Sequence, residues 1–569
     1  MSLQALKASG FTPAQVQHYC FDVAENGKYT CRLGCKKEYS APGGPTNLVN
    51  HFVTLHEDWK TFLNHAITAT GPMDSYFKSS VSAKAIKMHA WARFVICGDM
   101  PLSVVENREV RKITKLETTT SKTLIKYLEA LQRKVEEKIK AKLQVAGKIG
   151  LIFDNWTCST EHYTGIFATY VETIKEVDYI RELLLCCGVQ DEIEGEDCID
   201  FSAASLGDYI IDELSLVGVN LIEDVDFICG DNCATNRKLS DLISAKILEQ
   251  KGSNGAHKVP LVGCASHRLN LARIEMFNND PVVAKVDKCF TAMRTLKNAS
   301  KLRKKTHLRA NRRNTTRWGS TRKMLKQFKR IEPIVEECHF DNDVLDSMPS
   351  VREKRVIDEI ISNDAKFESV SQALQRGINH EGYVDIYTAR RMFDKLVNDF
   401  PDTRNYLSKD ANIVHSPVFE SAVCKVQGNQ ESQLTRQEKD SIKRFLRVSH
   451  ENDEDFADES NDEHQSFADE IINECQASKR TRTSKSNYRS MKHISATSNL
   501  VERLFSRAKL IMSDHRKHMS PFHLELILFL RCNKDLWNEF TFDGMIKNGE
   551  ITTTAADEEL LDEDELDEL

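Results

Sequence analysis

Several things are missing from this chain, and each absence narrows what it is. The opening residues, Met-Ser-Leu-Gln-Ala-Leu-Lys-Ala, contain no continuous apolar core of the kind a signal peptide carries. No run approaches the roughly 20 apolar residues of a membrane span, so no membrane partner is expected. The final Asp-Glu-Leu lacks the preceding Lys or His of an ER-retention ending and reads as the close of an acidic tail. The 16 cysteines are scattered over 569 residues without a secretory signal, which predicts reduced thiols or metal ligands rather than a disulfide framework. Together these absences predict an intracellular protein. The length suffices for roughly three or four domains of about 100–200 residues each.

Acid is missing too, but only locally. A net charge of −7 would argue against nucleic acid if it were evenly spread. From Thr291 to Arg330, however, there is no Asp or Glu among 15 Lys and Arg, and a second acid-free basic stretch runs from Ala477 to Lys492. The acids gather in 450–475 and in a tail over 546–569, where like-charge blocks predict disordered, solvated segments. The long basic block carries enough cations to neutralise several phosphates, and phosphate neutralisation contributes most of nucleic-acid affinity.

Near the N-terminus, Cys31-x3-Cys35 is followed by His51-x4-His56. Two thiolates on a tight turn and two imidazoles about one helical turn apart can close a tetrahedron around Zn²⁺. The alternative is two unrelated cysteines beside surface histidines. The candidate finger spans 12–60, and a helical region over 61–146 follows, with Leu124, Tyr127, Leu128, Leu131, Val135 and Ile139 at core-packing spacing.

The apolar run 147–153 stops on Asp154, which predicts a buried strand ending on an acid. Two further apolar runs, 163–171 and 179–186, suggest an antiparallel meander. A helix over 202–217 then leads to a strand, 225–229, that runs into Gly230-Asp231-Asn232. A strand reached through a helical crossover lies most simply parallel to the first, which would set Asp231 beside Asp154. Two carboxylates brought together repel one another, and Mg²⁺ or Mn²⁺ is the natural counter-charge. Two such ions about 3.5–4 Å apart would clamp an in-line phosphoryl displacement. Taken singly, an acid at a strand end more often only makes a turn.

Further on, Cys264 and His267 stand where a short strand turns into a helix. Two ligands cannot close a zinc site, so His267 reads as a contact to a phosphate or scissile strand, or as a structural residue. Within the basic block, Arg312, Arg313, Arg317 and Trp318 have the composition that stacks an unpaired base while holding its backbone, with a buried tryptophan as the plain alternative. Residues 324–449 read as helices. Ser498, followed four residues later by Glu502, begins a helix with Leu504, Phe505 and Ala508 facing in. Past Pro521, a helix apolar almost all round must be buried in a core or an interface.

In order, these stretches are Phe-Asp-Asn-Trp-Thr (153–157), Gly-Asp-Asn-Cys-Ala-Thr-Asn (230–236), Cys-Ala-Ser-His-Arg-Leu-Asn-Leu-Ala (264–272), Thr-Arg-Trp-Gly-Ser (316–320) and Ser-Asn-Leu-Val-Glu-Arg-Leu-Phe-Ser-Arg-Ala-Lys (498–509). The set, behind a finger similar to the BED type, resembles the transposases of the hobo–Activator–Tam (hAT) superfamily over about 20 to 540. The resemblance implies an α+β multidomain chain. It comprises an RNase H-like core (147–275 and 491–545), an all-helical insertion (276–490) and a C-terminal dimerisation segment. It implies a catalytic triad of Asp154, Asp231 and Glu502 on Mg²⁺ or Mn²⁺, cut-and-paste cleavage and strand transfer of DNA, a homodimer or larger homo-oligomer, and a nuclear location. It also assigns Arg317 and Trp318 to a flipped base near the cleavage point. The alternative is a domesticated, non-catalytic DNA-binding dimer acting as a regulator. Two departures are the three-residue spacing between Cys31 and Cys35, where two is usual, and Gly319, where many members carry Asn.

Overall fold

The computed structural model describes residues 12–23, 28–31, 38–40, 45–56, 59–60, 63, 81–174, 177–189, 202–255, 258–314, 319–380, 382–447, 466–480, 486–512 and 519–551. The chain divides into two compact units, Met1–Lys134 with Lys534–Leu569, and Val135–Asn533.

In the first unit, helix α1 (Pro13–Cys20) leads into a three-stranded antiparallel sheet of β1 (Phe21–Val23), β2 (Lys28–Cys31) and β3 (Glu38–Ser40). Helix α2 (Pro45–Leu55) follows, with proline at its first position, where the missing N–H costs nothing. Their shared core is a small cluster that includes Val16, Phe21, Leu48, Val49, Phe52 and Trp59. Among the described residues this core is small, and a small core gains from a staple. Further along, helix α3 (Ala83–Gly98) is capped by Ser82, whose hydroxyl accepts from the Ala85 N–H. The Ser82 N–H in turn donates to Asp543 at 2.9 Å, and Tyr127 of helix α4 (Ser121–Ala146) stacks on Phe542. Among the described residues, 534–551 therefore pack with 81–134.

In the second unit, β4 (Ile149–Cys158), β5 (Glu161–Ile174) and β6 (Val177–Val189) form the expected antiparallel meander. Helix α5 (Ala203–Leu216) then crosses over to β7 (Val225–Gly230), and helix α6 (Ala234–Gly255) to β8 (Leu261–Gly263). The five-stranded open sheet has the order β6-β5-β4-β7-β8, with β7 parallel to β4 and β8 parallel to β7. Leu151, Ile152 and Phe153 are fully buried, as the apolar run requires. Gly150 leaves room for the Phe227 ring of β7. A Cβ there would lie 2.1 Å from that ring.

The meander corrects one expectation. β4 does not end on Asp154, because Asp154 to Cys158 go on pairing with Gly165 to Glu161 of β5. Only the β7 side stops short, at the pair Ile152–Cys229.

Helix α7 (Ala265–Arg273) opens a helical region with its own core, which runs from Ala265 to Ala496 and includes Phe290, Phe328, Phe367 and Phe393. It contains helices α8 (Pro281–Met293), α9 (Ser320–Ile331) and α10 (Val351–Leu374). Part of the acidic run belongs to it as well. Residues 466–475 are not a disordered linker, because helix α11 (Phe467–Arg480) buries Ala468, Ile471, Ile472 and Cys475 in this core. The bridge between Leu446 and Tyr488 brings together the two ends of the segment that contains α11. Nearby, Arg444 and Arg489 both bind the fully buried Asp226 of β7. The chain then forms helix α12 (Asn499–Ile511) and helix α13 (Pro521–Cys532). The apolar surface of α13 is satisfied inside the chain, where Leu524, Leu526, Ile527, Leu528, Phe529 and Leu530 are all buried and Asn533 Nδ2 donates to Leu184 O on β6. Among the described residues, no helix is long and apolar enough to cross a membrane.

Candidate metal centres

Among the described residues, two groups of three bring their ligand atoms within 4.8 Å of one another: Cys31 with His51 and His56, and Cys264 with His267 and Glu502.

The first group holds three of the four residues expected of the finger, a Cys/His cluster consistent with a zinc-binding motif. β2 ends on Cys31, and α2 carries His51, with His56 just past its end. Cys31 Sγ lies 3.4 Å from His56 Nε2. The Tyr39 hydroxyl sits 2.7 Å from His51 Nδ1, which leaves Nε2 for an ion and fixes the ring through a partner outside the ligand set. Cys31 and His51 are both buried. A soft sulfur with two imidazole nitrogens is the donor set that zinc prefers. Cys35, the fourth expected ligand, lies outside the described residues.

The second centre is built by the sheet. Ile152 and Cys229 are the last paired residues of β4 and β7. Asp154 and Asp231 each lie two residues further on. Side-chain alternation therefore returns both to one face, on backbones about 4.8 Å apart. Asp231 is held from its own loop, accepting from Asn236 Nδ2 at 2.6 Å and from the Cys233 N–H at 3.2 Å. Asp154 accepts from the Asn155 N–H at 2.9 Å.

Glu502 comes from far along the chain, and packing explains its arrival. Val501, Leu504, Phe505, Ala508 and Ile511 recur at helical spacing and bury one face of α12. That face lies over β5 at Gly165, the cross-strand partner of Asp154, where a Cβ would meet Val501 at 2.8 Å and Leu504 at 3.1 Å. The start of α12 is pinned by Asn499, which donates to Ser266 Oγ at 2.8 Å and to Leu374 O at 3.0 Å. Ser498 serves through its backbone. Its N–H donates to Cys264 Sγ at 3.4 Å, and its hydroxyl does not cap the helix. Trp156 stacks on Tyr163 and leans on Phe505, so it packs the sheet against α12.

The electrostatics reflect acids forced together. Burial pushes the Asp154 carboxyl up to about 7, against the Asn155 hydrogen bond and with the Asp231 charge adding. Burial likewise raises Glu502 to about 7, with Asp154 adding. Glu502 Oε1 is buried without a hydrogen-bond partner. An oxygen-rich group of mutually repelling carboxylates with an unsatisfied buried oxygen fits a divalent cation. The three acids do not close to 4.8 Å as a set; Glu502 does so with Cys264 and His267. The sequence left those two residues short of a site because the third ligand lies on a different element.

Arg312 makes a two-pronged ion pair with Asp287 of α8, at 3.0 and 2.7 Å, and Arg313 donates to Asn278 O at 2.9 Å. Arg317 and Trp318 lie outside the described residues. Acids from elsewhere meet much of the basic block, Asp341 taking Lys297 and Lys301, and Asp358 taking Lys329. Sequence reasoning missed His415. It accepts from Arg237 Nε at 2.8 Å, and it is held to about 4 by burial and by Arg237 and Arg268, with Asp231 opposing. It belongs to none of the sequence motifs, and nothing local marks it. No family model matches the chain, and no curated protein matches it.

Proposed function

We propose that this protein is a zinc-finger DNA transposase of the hAT type with an RNase H-like core, acting by cut-and-paste cleavage and strand transfer. The arrival of Glu502 on α12, within electrostatic reach of both Asp154 and Asp231, is the observation that carries the reading. The sheet supports it. Three antiparallel strands followed by two parallel ones, in the order β6-β5-β4-β7-β8, are what an RNase H-like core requires. In that reading Asp154, Asp231 and Glu502 hold Mg²⁺ or Mn²⁺, which when bound activates water or a DNA 3′-hydroxyl and stabilises the leaving oxygen.

The chain's own residues do the rest. Asp154 is presented on β4 and Asp231 in the loop just past β7, where Asn236 keeps it from swinging away. Exposed Lys323, Lys326 and Arg330 on α9, with Arg303, Lys304 and Arg309 before it, offer cations to a DNA backbone. The finger reads a groove through α2, with Zn²⁺ at Cys31, Cys35, His51 and His56. His267 faces the scissile strand, and Arg317 with Trp318 holds a displaced base. Two or more copies pair through the C-terminal region, and the working location is the nucleus.

A second reading is a DNA-binding dimer without chemistry, and the closeness of Glu502 to Cys264 and His267 favours it. One experiment separates the two. Oligonucleotides carrying the sequences that flank the coding region are incubated with the full chain and Mg²⁺ or Mn²⁺. Metal-dependent nicking is expected, falling by about a thousandfold or more in Asp154→Asn. Nicking that survives that change, or none with any flanking sequence, rules the transposase out.

A further inference from the structure

We infer that Glu502 is a shared arm serving two metal sites in alternation, one with Asp154 and Asp231 and one with Cys264 and His267, and that a soft cation at the second disarms the first. The inference rests on the proposed triad for its regulatory half only; the second site stands on its own geometry.

Cys264, His267 and Glu502 bring a sulfur, a nitrogen and an oxygen within 4.8 Å of one another. A tetrahedral Zn²⁺ with bonds of about 2.0–2.3 Å sets its ligands about 3.3–3.8 Å apart, so closure needs side-chain rotations and no change of fold. The frame is fixed. Cys264 is fully buried at the start of α7, its N–H donating to Gly230 O at 2.8 Å and its sulfur accepting from the Ser498 N–H. Asn232 Nδ2 donates to Cys264 O at 3.0 Å, which ties this turn to the loop carrying Asp231. Burial and the Glu502 charge push the Cys264 thiol up to about 11, with hydrogen bonds from Ser498 and His267 opposing, so the thiolate needs the counter-charge of a bound cation. The buried, unsatisfied Glu502 Oε1 fits a missing ligand at either site.

The two sites differ in chemistry and share one carboxylate. Asp154 and Asp231 offer only oxygen, which suits Mg²⁺ and Mn²⁺, whereas thiolate and imidazole select Zn²⁺, Co²⁺ or Cd²⁺. A soft ion held by Cys264 and His267 takes Glu502 from the acids. The oxygen site keeps two of its three carboxylates.

The test is titration of the metal-free full chain with Co²⁺, read by thiolate-to-cobalt charge-transfer absorption. The finger's own thiolates are removed by Cys31→Ser with Cys35→Ser. That variant is expected to keep a thiolate band, lost on adding Cys264→Ser and weakened tenfold or more in affinity by His267→Ala or Glu502→Gln. His267→Ala serves if Cys264→Ser does not fold. Absence of any band in the finger variant overturns the site, whatever the nicking assay gives. In that assay Zn²⁺ is expected to suppress Mg²⁺-dependent nicking, with half-inhibition raised tenfold or more by His267→Ala relative to that variant's own starting rate. A cobalt band together with nicking indifferent to Zn²⁺ overturns the sharing of Glu502.

Discussion

Cys31, His51 and His56 belong to a region of short strands and two helices whose described core is small. Asp154, Asp231 and Glu502 stand on a five-stranded sheet and on a helix returned from far along the chain. In the first region the candidate ligands are near in sequence, and under the proposed function an ion there would staple a small fold. In the second, the fold is complete without an ion, and it forces like charges together at a cost that an ion relieves. Under the proposed function, one region would use metal for stability, and the other would hold instability ready for metal.

The sharpest way to break this contrast is chelation. Structural zinc contributes about 10–16 kcal/mol to finger-sized folds, so removing it is expected to abolish amide-exchange protection across α1, β1–β3 and α2. Protection in β4–β8 should persist. Loss of both regions at once would erase the distinction.

Next in size is Gly165→Ala. The new methyl would meet Val501 at 2.8 Å and Leu504 at 3.1 Å, so α12 must shift. Urea unfolding should show a loss of about 1–3 kcal/mol, the usual range for overpacking. An unchanged midpoint would mean that α12 is not seated on β5.

The acids give a comparable effect of opposite sign. Asp154 and Glu502 titrate near 7 in the folded chain, against 3.8 and 4.5 when unperturbed. Between those values the folded state binds more protons than the unfolded one, so metal-free stability must fall as pH rises from about 4 to about 7. At pH 8 without divalent metal, Asp154→Asn or Glu502→Gln should therefore raise stability, by about 1–3 kcal/mol, and at pH 4 by much less. Thermal melts at the two pH values decide this. Destabilisation at pH 8 would show that the acids are held by partners rather than strained.

The smallest effect belongs to Arg312→Ala. An exposed pair with Asp287 is worth about 0.2–1 kcal/mol, so the melting temperature should barely move. A large loss would make the basic block part of the scaffold rather than a surface for phosphates.

Much of this contrast was legible in the sequence, and the rest failed for identifiable reasons. The strand runs placed Asp154 and Asp231 correctly as neighbours, because a crossover through one helix leaves few arrangements open. The stripe Leu504, Phe505 and Ala508 announced α12 and its buried face. The burial of Ala468, Ile471, Ile472 and Cys475 in α11 was hidden by the acids around them, since charge density masked a good helical stripe. The proximity of Glu502 to Cys264 and His267 was invisible because it depends on how α7 and α12 meet, through Ser266 and Asn499. His415 was beyond reach for the same reason, its partner Arg237 lying on α6. Local patterns foretold elements, and sites made by three elements required the packing.

Whether Asp154, Asp231 and Glu502 form one metal centre is decided by anomalous diffraction from crystals of the full chain soaked in Mn²⁺. Anomalous density is expected at the carboxylates of Asp154 and Asp231 with Glu502 turned toward it, and no such density in Asp154→Asn crystals treated alike. Density confined to other parts of the chain, with the three carboxylates bare, would contradict it.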